Sequence, residues 1–287
     1  MNLLHKLKQY RFEAICIAPI LVYLFLFTLV PVVQVFRLSL TDPASRELTL
    51  NNFFILFRQA DFRSAFFNTI VIALGSLTLE LGFGLMLAMI LSVQEKGSGF
   101  LKSVFMLPLA IPTVVAAVMM SYMFSSSGWV NRILLDLGLI QENILWLAGD
   151  YKSLFTVMAA DAWKVTPLVM LILLAGLQSI DRQLYKAARI DGAGMLYTFR
   201  HVTLPLLMPA VTTAVIIRGI DAFRIFSLAL VLMGENLKVI GTYAYLEFAE
   251  YNNEYLSAAS AVVLFGLIMG AVLLYLRLAF YKRGEAV

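Results

Sequence analysis

Long apolar runs alternate with short polar ones along this chain. Six apolar runs are long enough to cross about 30 Å of hydrocarbon at about 1.5 Å per residue. They cover residues 14–38, 65–93, 103–124, 153–177, 205–232 and 255–281. Such runs predict helices, because a helix satisfies every backbone hydrogen bond internally in lipid. The expected fold is therefore an all-α membrane protein: a short tail over 1–13, then one transmembrane domain over 14–287. Pro31 is expected to kink the first span, and Pro108 and Pro112 to bend the third. Asn51–Arg58 reads as a short amphipathic helix at the interface, and Trp129 and Trp146 as interfacial anchors. The pair Gly82 and Gly84 lets a neighbouring helix approach the second span.

Composition agrees with the pattern. The 287 residues are 61% hydrophobic and 14% charged, far too apolar for an ordinary soluble domain. The net charge of +4 does not point to nucleic acid, because the basic residues cluster at the span edges. One set of loops carries Lys6, Lys8, Arg11, Lys96, Lys102, Arg182, Lys186, Arg189, Arg200, Arg277, Lys282 and Arg283. The other carries Arg46, Arg58, Arg63, Arg132, Lys152 and Lys238. The richer set marks the cytoplasmic side, which puts both termini there. The single cysteine, Cys16, has no internal disulfide partner, and no metal site is expected. The first apolar run is long and lacks an A-x-A-like cleavage site, unlike a signal peptide. Gly97-Ser-Gly-x-x-Lys-Ser103 lacks the G-x-x-x-x-G-K-[ST] spacing of a phosphate loop, so no ATP site is expected in this chain.

The one long polar, basic interruption of the second half is 179–204. Asp181 is a good helix N-cap ahead of good helix formers. Gly192 and Gly194 break that helix, Asp191 is placed to cap a second one, and Leu204-Pro205 opens the next apolar run. This predicts a helix, a bend, a helix and re-entry into the membrane. Lys186-Ala187-Ala188-x-x-Asp191-Gly192-Ala193, with Phe199, Leu204-Pro205 and Pro209, resembles the EAA loop of ABC-importer permeases. The Asp-Gly-Ala form is similar to the carbohydrate-importer branch; the family's Glu is Lys186 here. The resemblance implies a type I importer permease fold in which this loop is the coupling helix seated on a separate, dimeric ATPase. It also implies a homologous second permease, an extracytoplasmic solute-binding protein, and a place in the bacterial or archaeal cytoplasmic membrane. ATP and magnesium would belong to the ATPase, and this chain would be a non-enzymatic subunit.

Six ionisable residues fall within the expected spans: Glu80, Asp161, Lys164, Arg218, Asp221 and Arg224. Each costs about 2.5–3.5 kcal/mol in hydrocarbon, so each must face protein, water or a partner. Asp161 and Lys164 share a helix face and are expected to neutralise one another. Asp221 cannot neutralise both Arg218 and Arg224, which leaves a guanidinium for a polar path. Asp221-Ala-Phe-Arg-Ile-Phe226 resembles a core-helix segment along the family's solute path; Met233-Gly-Glu235 departs from the family's Gly-Gly-Pro. Candidate path residues are Tyr122, Asp161, Lys164, Arg218, Asp221, Phe223, Arg224, Phe226 and Ser227. Two other classes compete. An ion-driven secondary transporter would use Glu80 or Asp161 as its cation site. An intramembrane enzyme would need a nucleophile and base at membrane depth, and no histidine lies in a span.

Overall fold

The computed structural model of the protein describes residues 11–93 and 98–284. The tail over 1–10, with Lys6 and Lys8, and the turn at 94–97 lie outside the described residues. Those described are helical, apart from connecting turns and one isolated bridge, Thr41 to Leu48. They form two compact units, one of residues up to Gln59 with Ala244–Val263, the other of Ala60–Tyr243 with the residues from Leu264 on.

In the first unit, α1 (Arg11–Leu24) passes through a π-helical turn at Phe25–Leu29 into α2 (Val30–Ser39). The π turn lies just ahead of Pro31, the residue expected to kink this span. Proline lacks an N–H, and its ring crowds the carbonyl four residues back. A wider turn just ahead of Pro31 accommodates both. The apolar window of Ile15–Ser39 is wholly unburied, as suits a helix facing lipid. After α2, Asp42 Oδ1 accepts from the backbone N–H groups of Ser45 and Ala44, both at 2.9 Å. These bonds hold its carboxyl below the usual carboxylate range. The short helix expected next is α3 (Asn51–Arg58), pinned by buried Asn52, whose Nδ2 donates to the carbonyls of Ser39 and Thr41.

The second unit is built on α4 (Ala60–Val93) and α8 (Tyr151–Gln178), with α5 (Ser98–Ala110) and α6 (Thr113–Met123) between them in sequence. α5 and α6 meet at 92°, so the third apolar run is a bent pair with Pro112 at the corner. Of the two small residues in α4, only Gly84 provides a close approach. A Cβ there would lie 2.8 Å from Val169 Cγ1, whereas one at Gly82 would meet nothing within 4 Å. Gly176 of α8 does the same towards the fifth span, where a Cβ would lie 2.8 Å from Leu207 Cδ1. Two apolar cores result. Val169, Met170, Leu173 and Leu207 centre one; Ile72, Ala117, Val157, Leu228 and Val239 centre the other.

The loop before α8 contains α7 (Trp129–Asp136) and is braced by buried Asn131. Its Nδ2 donates to the carbonyls of Ser126 and Ile144, and its Oδ1 accepts from Ile144 N–H and Trp146 Nε1–H. Five helices among the described residues are long and apolar enough to cross a membrane, or six if the bent pair counts as one.

Candidate functional site

The interruption at 179–204 folds into an exposed elbow. α9 (Arg182–Ile190) starts at Asp181, whose carboxylate accepts from Gln183 N–H at 2.8 Å. It ends where Ala193 N–H reaches back to Ala188 O at 2.9 Å, over a left-handed Gly192 at φ +76°. That backbone favours glycine, since a side chain there is strained. Two expectations are corrected here. Asp191 closes α9 and does not cap the next helix, which Gly194 begins without a side-chain cap. Nor does the span start a separate helix at Leu204. α10 (Met195–Thr198), a π turn at Phe199–Thr203 and α11 (Leu204–Phe223) form one continuous rod, Met195–Phe223. The π turn again precedes a proline, Pro205, for the same steric reason as at Pro31.

The elbow has two faces. Lys186, Ala187, Asp191 and Gly192 are exposed, and so are large apolar side chains at Ile190 (85%), Met195 (84%) and Leu196 (79%). Tyr185, Ala188, Ala193 and Phe199 are half-buried. Tyr185 packs on the core and its hydroxyl accepts from Thr203 Oγ1 at 3.3 Å, tying α9 to the rod. Leu204 is half-buried and Pro205 exposed.

Five of the six charged residues expected in the spans form one network. Arg218 of α11 donates from Nε to Glu80 Oε2 at 2.8 Å and from Nη2 to Glu80 Oε1 at 2.6 Å. Nη2 also reaches Asp161 Oδ2 of α8 at 3.2 Å. Asp221 then links Arg218, at 3.8 Å, to Arg224, at 3.5 Å. Glu80, Arg218 and Asp161 are buried, while Asp221 and Arg224 are exposed. The pairing expected between Asp161 and Lys164 is replaced by the bond to Arg218, and Lys164 stands half-buried. The guanidinium that sequence arithmetic left over is thus claimed by Glu80, 138 residues away. Reasoning along single helices missed this pair. The signal was present, because a lone acid in the second span and a surplus base in the fifth each needed a partner. Both Glu80 and Asp161 are bonded to Arg218, so neither is an open cation site of the kind an ion-driven transporter needs.

The remaining candidates separate. α11 stops at Phe223, and the apolar run resumes as α12 (Ser227–Met233), so the span expected over 205–232 is broken at Arg224. Phe223 is buried against Ala73 and Ala222 and presents no face to a solute. Phe226 and Ser227 are half-buried at the break, and Tyr122 is exposed on α6. A cavity of about 680 Å³ opens between α4, α5 and α8, lined by Phe83, Phe105, Pro108, Phe155, Trp163 and Pro167 among others. Its wall is almost wholly apolar, which suits hydrocarbon and not a hydroxylated solute.

Apolar rods carrying one buried ionic seam, and one rod continuing into an exposed amphipathic elbow, suit a protein embedded in a membrane. Residues 80–283 match the family of inner membrane components of binding-protein-dependent transport systems, and the chain belongs to that family as a membrane-embedded permease. The trehalose/maltose transport system permease protein MalF of Thermococcus litoralis is 35% identical over 98% of this chain and 99% of its own. The sulfoquinovosyl glycerol transport system permease protein SmoG of Agrobacterium fabrum is 30% identical over 91% and 88%. A bacterial ABC transporter involved in import of the acidic polysaccharide alginate has a chain of the same fold. Its TM-score is 0.86 at 22% identity, covering 98% of this chain and 99% of that one.

Proposed function

We propose that this permease forms half of the translocation path of an ATP-driven importer for a sugar or a related polyhydroxyl solute. A separate, dimeric cytoplasmic ATPase grips the elbow over residues 181–201. A homologous second permease supplies the other half of the path, and an extracytoplasmic binding protein delivers the solute. No nucleotide or metal is required by this chain itself. The observation that carries the reading is the elbow: an N-capped helix ending in exposed Ile190, followed by exposed Met195 and Leu196 at the head of the rod that becomes a membrane span. Large exposed apolar side chains beside a basic helix suit a groove on a soluble partner. The solute class is supported by the relatives named for trehalose, maltose and sulfoquinovosyl glycerol. Asp221, Arg224 and the half-buried Phe226 and Ser227 are the groups best placed to meet hydroxyls.

The test is purification of the chain from its native membrane, followed by reconstitution in liposomes with trehalose or maltose as probe. Co-purification of an ATPase and uptake that requires ATP and binding protein are expected. Uptake by this chain alone, abolished by a protonophore, would overturn the reading.

A further inference from the structure

Arg218 is held more firmly than a residue lining a solute path needs to be. It binds both oxygens of Glu80, with Asp161 as a third contact, and the three acceptor and donor groups sit on α4, α8 and α11. Glu80 is 0% exposed and Arg218 4%. Buried ion pairs seldom add net stability over apolar residues of similar volume, because desolvation offsets attraction. What they fix is geometry. A forked pair tolerates little displacement, and a buried carboxylate stripped of its partner is heavily penalised. Arg218 shares an unbroken rod with Met195 at the elbow, about 35 Å away at about 1.5 Å per residue. Motion delivered at the elbow therefore arrives at Arg218 as a shift or rotation of α11. That shift must either carry α4 and α8 along or strip the Glu80–Asp161 carboxyl pair of its guanidinium in the interior. Arg218 has Asp221 to fall back on, one turn along at 3.8 Å. Glu80 takes two hydrogen bonds from Arg218.

We propose that Glu80, Arg218 and Asp161 are positioning residues, a lock that makes α4, α8 and α11 travel as one body. Work received at the elbow then moves a wall of the path and not one helix within it. This rests on the elbow being the point of drive.

The test uses the full complex in nanodiscs on a Cys16→Ser background. Spin labels are placed through Leu74→Cys on α4 and Ile217→Cys on α11, both exposed positions. Pulsed EPR reads the distance between them without nucleotide and after trapping with ATP and vanadate. In the otherwise unchanged lock, the distance is expected to stay the same to within about 1 Å, the slack of a hydrogen bond. Arg218→Lys keeps the charge but loses the fork, and is expected to shift by several times that on trapping. If Arg218→Lys does not assemble, the apolar pair Glu80→Met with Arg218→Met replaces it, with the same shift expected. A nucleotide-dependent shift with the lock intact, or a variant distance that stays fixed, would overturn the proposal. If no ATPase is retained by the chain at all, the reading of the elbow fails and the lock falls with it. A retained, vanadate-sensitive ATPase with moving labels condemns the lock alone.

Discussion

Single residues decide the shape of the elbow and of the loop before α8. Gly192 sits at φ +76°, and a Cβ there would meet nothing within 4 Å. Its importance is thus conformational and not steric, and substitutions should rank by their tolerance of the left-handed region. Gly192→Asn is expected to keep ATP-dependent uptake within about twofold, since Asn visits that region readily. Gly192→Val places a β-branched residue there at a cost of about 1–2 kcal/mol, enough to rebuild the bend. Proteoliposomes carrying it should hydrolyse ATP with uptake reduced by about tenfold or more, or lose the ATPase. Equal activity in the two variants would show that the bend does not matter. Asn131 acts differently, through buried hydrogen bonds. Asn131→Leu strands Ile144 N–H and Trp146 Nε1–H, at about 1–3 kcal/mol for each group left unpaired. A lower thermal midpoint of the detergent-solubilised protein is expected. An unchanged midpoint would show that water replaces the amide. Gly192 was legible in the sequence because left-handed turns leave a glycine behind. Asn131 was not, because its partners lie 13 and 15 residues away and no periodicity reports such a bond.

At the scale of elements, hydropathy located the helices but not their breaks. α4 begins at Ala60, ahead of its apolar run, with Phe62 buried and Asp61, Arg63 and Ser64 exposed in its first turns. The fifth span ends at Phe223, with the charged Arg224 as its C-cap, although residues 228–232 are just as apolar. Both π turns escaped a reading based on 3.6-residue periodicity, yet each lies just before a proline. The second has a mechanical consequence. A π turn holds one more residue than an α turn, so its loss rotates everything beyond it by about 100°. Pro205→Ala removes the ring that disfavours α-helix at 199–203. The elbow is then expected to point elsewhere while α11 keeps its packing through Leu207 and Ala214. The variant should insert and pair with the second permease, yet show uptake reduced about tenfold or more relative to ATP hydrolysis. Wild-type coupling in Pro205→Ala would mean that the π turn is incidental to aiming the elbow.

For the whole molecule, sequence gave the class and the place of the elbow, whereas pairing across spans emerged only in three dimensions. Glu80 and Arg218 illustrate the limit: each signals that it needs a partner, and neither signals which. Sidedness remains an argument from charge, and it carries the whole scheme, since an ATPase can reach the elbow from one side only. α8 spans Tyr151–Gln178, about 42 Å at about 1.5 Å per residue, more than the hydrocarbon thickness of about 30 Å. The loop that precedes it and the elbow that follows it therefore lie on opposite faces. By the positive-inside bias, the basic residues of the elbow, Arg182, Lys186, Arg189 and Arg200, predict a cytoplasmic place for that face. On a Cys16→Ser background, Glu142→Cys and Lys186→Cys place one exposed thiol on each face. A membrane-impermeant maleimide should label Glu142→Cys only in right-side-out vesicles and Lys186→Cys only in inverted ones. The converse pattern would put the elbow beyond the reach of any cytoplasmic ATPase, and the drive would have to enter the molecule elsewhere.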